Sequence, residues 1–289
     1  MAITVSLINM KGGVGKSTLT VNLAWHYAAY TDWQKRVLVV DLDPQFNASQ
    51  YLVGVNKYQA ILDDGKPTIW DIFEQHTRTP KTIKPKPIVP ADAVRNVATF
   101  KPRPFYKSPH TGRIDLIPSR LELAWSLKNP GQKERILPKV LAELEDDYDL
   151  ILIDCAPTES ILTTSAYLAS DYVLVPVKPE YLSTIGLPLL VNSMDDFKTQ
   201  YDHHALQLAG VVFNAVSKYS PEEDLSISEV KKIARKFGWK VFKNQVTYSR
   251  SYPKGAREGQ PIFRTSYART DQSAKFRLFA QEFGKSIGL

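Results

Sequence analysis

The run Lys11-Gly-Gly-Val-Gly-Lys-Ser-Thr18 gathers two lysines, three glycines and two hydroxyl residues within eight positions. Glycines let backbone N–H groups curl around phosphate oxygens where a side chain would block the approach. Lys16 is placed to reach the β- and γ-phosphates of a nucleotide, and Ser17 to ligate Mg²⁺. Gly12, Gly13, Val14, Gly15 and Thr18 complete the cradle. The general phosphate-loop pattern asks for glycine at position 10, where this chain has Met10, and a second lysine, Lys11, stands ahead of the glycine pair. Two carboxylates, Asp41 and Asp43, end the apolar run that starts at Val37, where charge is costly unless it faces a metal or a polar site. A lone carboxylate, Asp154, ends the run Leu150–Ile153 in the manner of a Walker B strand, which holds Mg²⁺ through water. Asn214 closes Val211-Val-Phe, and its amide donates and accepts at once, as the edge of an adenine requires.

Something must hold these groups at one place. The phosphate loop follows the strand-length run Ile3–Ile8 and precedes a helical pattern, Thr18–Tyr30. Further apolar runs at Val37–Val40, Ile114–Ile117, Leu150–Ile153, Tyr172–Val177 and Leu206–Phe213 read as strands. Helical patterns at Lys133–Leu144, Glu159–Ala169, Ile185–Gln200 and Pro221–Phe237 separate most of them, the last with Ser220 as N-cap and Pro221 at N1. Alternating strands and helices predict an α/β fold: a P-loop NTPase with a mostly parallel sheet covered by helices on both faces. In such a sheet the ligand crevice opens at the carboxyl ends of the strands, where Asp41, Asp43 and Asp154 fall.

The whole of 1–289 reads as one domain with an insertion at about 56–112. Trp70–Phe73 predicts a short helix there, whereas seven prolines between positions 80 and 109 predict no regular structure across 79–112, and the stretch as a whole reads as a long surface insertion. Asp271–Ile287 predicts an amphipathic last helix with Phe276, Phe279, Ala280, Phe283 and Ile287 on one face, a pattern that suits a core helix better than a membrane anchor.

No run of about 18 apolar residues is present, so no membrane span is expected. The start of the chain has no basic segment of a secretory signal, and the single cysteine, Cys155, excludes an intrachain disulfide; both point to the cytoplasm. No Cys/His cluster has metal-ligand spacing. Net charge is +7, with +8 over residues 78–113, +11 over residues 231–289 and −12 over the rest. A basic end on an acidic body points to a polyanionic partner.

The pattern K-G-G-x-G-K-[ST], together with Asp41-Leu-Asp-Pro-Gln45 and Asp154-Cys-Ala-Pro157, resembles the deviant P-loop ATPases of the ParA/MinD family, nearest the Soj-like partition ATPases without an N-terminal helix-turn-helix. The resemblance covers about 2–55 and 113–287. It implies ATP and Mg²⁺ as cofactors and hydrolysis of ATP to ADP and phosphate, slow without a partner. Lys11 would reach the nucleotide of the other subunit in an ATP-sandwich homodimer. Lys16 would neutralise phosphoryl charge, Asp43 would orient the attacking water, and Asp41 would support the Mg²⁺ shell beside Ser17 and Asp154. Asn214 would recognise adenine. Non-specific DNA binding, a ParB-like activator and a nucleoid-associated location would follow, with a plasmid, chromosome or protein assembly as cargo. The family places DNA-contacting basic residues near Gly259-Gln-Pro-Ile262, which makes Arg250, Lys254, Arg257, Arg264 and Arg269 candidates for phosphate contacts. The chain departs from the family at Ala156, where a second proline is usual. It departs again at Thr247-Tyr-Ser249, where a proline-arginine-asparagine stretch is usual, and at Lys254-Gly-Ala256, which replaces an E-A-P element. A MinD-like membrane-associated positioning ATPase is the alternative. A nitrogenase-type reductase needs two cluster cysteines and is excluded, and a P-loop synthetase would need a small-molecule substrate.

Overall fold

The computed structural model describes residues 1–30, 33–75, 88–101, 111–128, 131, 133–217 and 220–289. A seven-stranded sheet has the order β3-β4-β2-β5-β1-β6-β7. Its strands are β1 (Ile3–Leu7), β2 (Arg36–Leu42), β3 (Arg95–Phe100), β4 (Gly112–Ile117), β5 (Leu150–Cys155), β6 (Tyr172–Val177) and β7 (Gln207–Phe213). All pairings are parallel except β3 with β4. The central strands are apolar on both faces because both are covered. Along β2 and β5 the side chains alternate between two cores: Leu38, Val40, Ile151 and Ile153 enter one, Val37, Val39, Leu150 and Leu152 the other.

The first core lies under α4 (Ile69–Glu74), α5 (Ile136–Ala142), α6 (Ile161–Leu168), α7 (Tyr181–Gln200) and α8 (Pro221–Lys236). The second lies under α1 (Lys16–Ala29), α2 (Asn47–Val53) and α10 (Thr270–Ile287), with α3 (Val55–Asp63) and α9 (Ser251–Glu258) beside α2. Pro221 opens α8 as expected, but Ser220 makes no side-chain capping bond.

Two expectations change. The stretch 79–112 is not wholly irregular: Arg95–Phe100 forms edge strand β3, with a bulge between Asn96 and Ala98. The six residues of β3 lie between Pro90 and Pro102 and contain no proline, so no ladder donor is missing. The insertion is also not confined to the surface. Thr68 and Asp71 form a capping box that starts α4, and Ile69, Ile72 and Phe73 are fully buried in the first core. The proline-rich, basic stretches 76–87 and 102–110 lie outside the described residues.

The last helix is a core helix. Phe276, Phe279, Ala280, Phe283 and Ile287 are all buried, and Tyr27 Oη donates to Ala280 O at 2.6 Å. Burial of each phenylalanine stabilises the fold by roughly 1.5–3 kcal/mol, so this face is committed to the protein interior. No helix among the described residues is long and apolar enough to cross a membrane.

Candidate nucleotide site and basic cleft

β1 delivers the phosphate loop inside the sheet, between β5 and β6, and α1 begins at Lys16. Gly13 and Gly15 adopt left-handed φ values of +75° and +89°. At Gly15 a second constraint applies: a Cβ would stand 2.1 Å from Asn214 Nδ2. That amide donates to Val14 O at 2.7 Å, so the end of β7 clamps the loop from below. Asn9 shapes the start of the loop, accepting from Lys11 N at 2.9 Å and donating to Pro176 O at 2.7 Å.

The loop lines a cleft of about 550 Å³ with Lys16, Ser17, Thr18, Asp43, Gln45 and Tyr51. Lys16 Nζ donates to Asn9 O (3.1 Å) and Lys11 O (3.3 Å). Burial lowers its pKa, and the charges of Asp154 and Asp43 oppose that. Lys11 does not line this cleft. Its Nζ pairs with Glu180 Oε2 at 2.8 Å, immediately before the exposed Tyr181 and Leu182 of α7. Lys178 pairs with the same carboxylate, and Lys11 and Lys178 hold the Glu180 pKa low.

β2 runs through Asp41 to Leu42, so the two carboxylates separate. Asp43 lies past the strand end and lines the cleft, its Oδ1 accepting from Gln45 N at 2.9 Å. Asp41 lies inside the strand in register with Asp154. Its Oδ2 accepts from Ser49 N (2.7 Å) and Ser49 Oγ (2.6 Å), its Oδ1 from Asp43 N (3.2 Å). Both Asp41 oxygens accept hydrogen bonds, and through them the residue orders the loop that carries Asp43. Burial and the Asp154 charge push its pKa well up, against the Ser49 bonds.

Asp154 is fully buried. Thr20 Oγ1 donates to its Oδ1 at 3.3 Å, and Oδ2 has no hydrogen-bond partner among the described residues. Burial raises its pKa, the Ser17 hydroxyl opposes this and the Asp43 charge adds to it. A buried carboxylate oxygen without a donor, beside a serine hydroxyl, fits a hard divalent cation such as Mg²⁺. Cys155 is buried and its thiol is pushed well up, which leaves it inert.

The C-terminal cations divide. Arg250 and Arg269 both line a cleft of about 630 Å³, with Tyr248, Tyr267 and Gln272 in its wall. Lys254 Nζ lies 4.8 Å from the centre of the Tyr267 ring and pairs with Glu258 at 3.1 Å. Arg257 is exposed on the same helix, α9. Arg264 does not join them. Its guanidinium lies over Trp25 (5.2 Å) and Phe100 (5.5 Å) and fastens the C-terminal segment to edge strand β3.

Sequence reading missed Asn9, Thr20, Ser49 and Glu180. Asn9, one residue past an apolar run, carries the same signal that marked Asn214; the other three act through contacts that no local spacing encodes.

A glycine-cradled loop on an interior strand, a buried lysine, and carboxylates on two strands of the sheet define a P-loop nucleotide-binding α/β protein. Residues 2–208 match the family described as AAA domain. The sporulation initiation inhibitor protein Soj of Bacillus subtilis is 30% identical over 261 residues, 89% of each chain. The chromosome-partitioning ATPase Soj of Treponema pallidum is 29% identical over 262 residues, 91% of this chain and 89% of its own. Among solved structures, the ATP complex of a variant of Cyanothece McdA superposes with a TM-score of 0.75 at 18% identity, covering 100% of this chain and 97% of that one. A plasmid partition protein of Borrelia burgdorferi bound to AMPPNP superposes with a TM-score of 0.69 at 20% identity, over 99% of both chains. The chain belongs to the ParA/MinD family of P-loop ATPases, on its Soj-like side.

Proposed function

We propose that this protein is a DNA-binding positioning ATPase: it closes around ATP as a homodimer, holds non-specific duplex DNA in that state, and releases it after hydrolysis stimulated by a ParB-like partner. The observation that carries this reading is the direction of Lys11, whose ammonium turns away from its own phosphate cradle toward the α7 surface. A lysine so placed would reach a second nucleotide across a dimer face by exchanging its Glu180 partner for phosphate oxygens. The basic cleft of Arg250 and Arg269 supplies cations for DNA phosphates, and two apposed copies would double them.

In the hydrolysis we propose, water attacks the γ-phosphorus in line, the bond to the bridging oxygen breaks, and ADP leaves. Asp43 orients that water from its position in the cleft wall. Lys16 exchanges two backbone carbonyls for phosphate oxygens, and its charge then opposes the charge gathering on the phosphoryl group. Ser17 and Asp154 would hold Mg²⁺, which when bound supplies further neutralisation of the phosphates. Asn214, which clamps Val14, would present the rest of its amide to adenine. The membrane-associated alternative shares the phosphate loop and Asp motifs but gains no anchor from α10, whose apolar face is buried in the core.

The test is binding to non-specific duplex DNA with ATP, ADP or no nucleotide over a salt series. ATP-dependent, salt-sensitive binding that is lost in Lys11→Ala and weakened in Arg250→Ala is the expected result. Absence of binding in every nucleotide state would overturn the reading.

A further inference from the structure

Helix α9 stands between the two sites and contributes to both. Ala256 lines the nucleotide cleft beside Gln50 and Tyr51 of α2. Arg250, its N-cap, opens the basic cleft, and Lys254 reaches over Tyr267. The contact of α9 with α2 has no slack. A Cβ at Gly255 would come within 2.6 Å of Tyr51 Oη and 2.5 Å of Gln260 O. At Gly259, φ +63°, a Cβ would stand 3.4 Å from Gly54 N, at the end of α2.

The same hydroxyl joins α2 to the helix that follows the phosphate loop. Asn22 of α1 is fully buried and donates to Tyr51 Oη at 3.1 Å, while its Oδ1 accepts from Ile262 N, four residues past the end of α9, at 2.9 Å. At its other end α2 is tied to β2 by the Ser49–Asp41 bonds. The phosphate-loop helix and the Asp43 loop, which both line the nucleotide cleft, therefore both bear on α9. Close-packed elements shift between discrete arrangements and do not deform continuously, so these contacts offer a path by which a movement of either element can be passed to α9.

From this juxtaposition we infer that α9 is the element through which bound nucleotide controls the basic cleft, with Asn22 and Tyr51 as its positioning residues. The inference rests on the DNA-binding reading above. It is a statement of coupling, and coupling is reciprocal: the factor by which nucleotide tightens DNA binding equals the factor by which DNA tightens nucleotide binding.

The experiment measures affinity of the full-length protein for a non-hydrolysable ATP analogue with Mg²⁺, with and without a saturating short non-specific duplex, while association is followed in parallel by sedimentation. Wild type is expected to show a coupling factor of about 5- to 150-fold. Asn22→Ala, still associating with the analogue as wild type does, is expected to bring that factor to within about twofold of one, and Tyr51→Phe to cut it at least threefold. Because the factor is a ratio within one variant, any change that Tyr51→Phe makes in nucleotide affinity itself cancels. If Asn22→Ala does not fold, Tyr51→Phe, which loses a single hydroxyl, decides alone. Wild-type coupling retained in the folded variants would overturn the role of α9. A wild type that binds both ligands with a factor of one would overturn it too, and would leave DNA binding standing. A wild type that binds no duplex would overturn the DNA reading itself.

Discussion

Arg250 and Arg264 have the same chemistry and lie fourteen residues apart, yet the structure gives them different work, and a salt titration separates the two. Arg250 opens the cleft shared with Arg269, whereas the Arg264 guanidinium is spread over Trp25 and Phe100. Each phosphate neutralised in duplex DNA contributes about −0.9 to the slope of log K against log salt. A dimer carries Arg250 twice, so Arg250→Ala removes about 1.8 from the magnitude of that slope. Over a fourfold rise in salt the loss of affinity then shrinks by about 12-fold relative to wild type. Arg264→Ala leaves the slope unchanged and instead lowers stability by about 1 kcal/mol through the lost cation–π contacts, close to 2 °C in Tm for a chain of this size. The assay is fluorescence anisotropy of a labelled non-specific duplex with ATP at four or more salt concentrations, with thermal unfolding alongside. An Arg264→Ala slope reduced as much as that of Arg250→Ala would refute the division, and so would an Arg250→Ala protein that binds DNA with the wild-type slope.

Gly15→Ala places a side chain at φ +89° and displaces Asn214 from Val14 O; left-handed strain of about 1–2 kcal/mol and one hydrogen bond of about 1 kcal/mol give a loss of about 2–3 kcal/mol, and an unchanged Tm would contradict this. Asp154→Asn removes a buried carboxylate whose charged form is penalised by burial, so it raises the stability of the nucleotide-free protein while abolishing the Mg²⁺ dependence of nucleotide affinity; calorimetry with and without Mg²⁺ checks both. Phe279→Ala costs about 3–5 kcal/mol in denaturant unfolding, and the wild type does not sediment with uncharged phosphatidylcholine vesicles in the presence of ATP; binding to those vesicles would show that an apolar face such as that of α10 leaves the core. Thr68→Ala opens the capping box of α4 and costs about 1 kcal/mol in urea unfolding, and a loss near zero would mean that the capping box contributes no stability.

The glycine–lysine loop, the carboxylates at the ends of apolar runs and the six strand patterns were legible because each depends on neighbours in sequence. Tyr172–Val177 matches β6 end to end, and Ile3–Ile8 overshoots β1 by one residue. The edge strand β3 was not legible: its half-exposed residues lack the apolar run of a central strand, and flanking prolines masked a short proline-free window. Helix α9 was missed as well. Its sequence, Ser-Tyr-Pro-Lys-Gly-Ala-Arg-Glu, holds a proline and a glycine, and the glycine is there for close approach to Tyr51, a demand made by packing and invisible locally.

The sequence by itself determined that a phosphate-binding loop sits on a covered parallel sheet, because backbone freedom, charge and hydrophobic periodicity are local properties of consecutive residues. Only the tertiary structure decided which like residues share a task. It sent Asp43 into the cleft and bound Asp41 to Ser49, put Arg250 and Arg269 on one cleft, laid Arg264 on two rings, and buried the apolar face of α10. Those outcomes depend on which surfaces meet across the fold, and chemically identical side chains carry no sign of it in their own spacing.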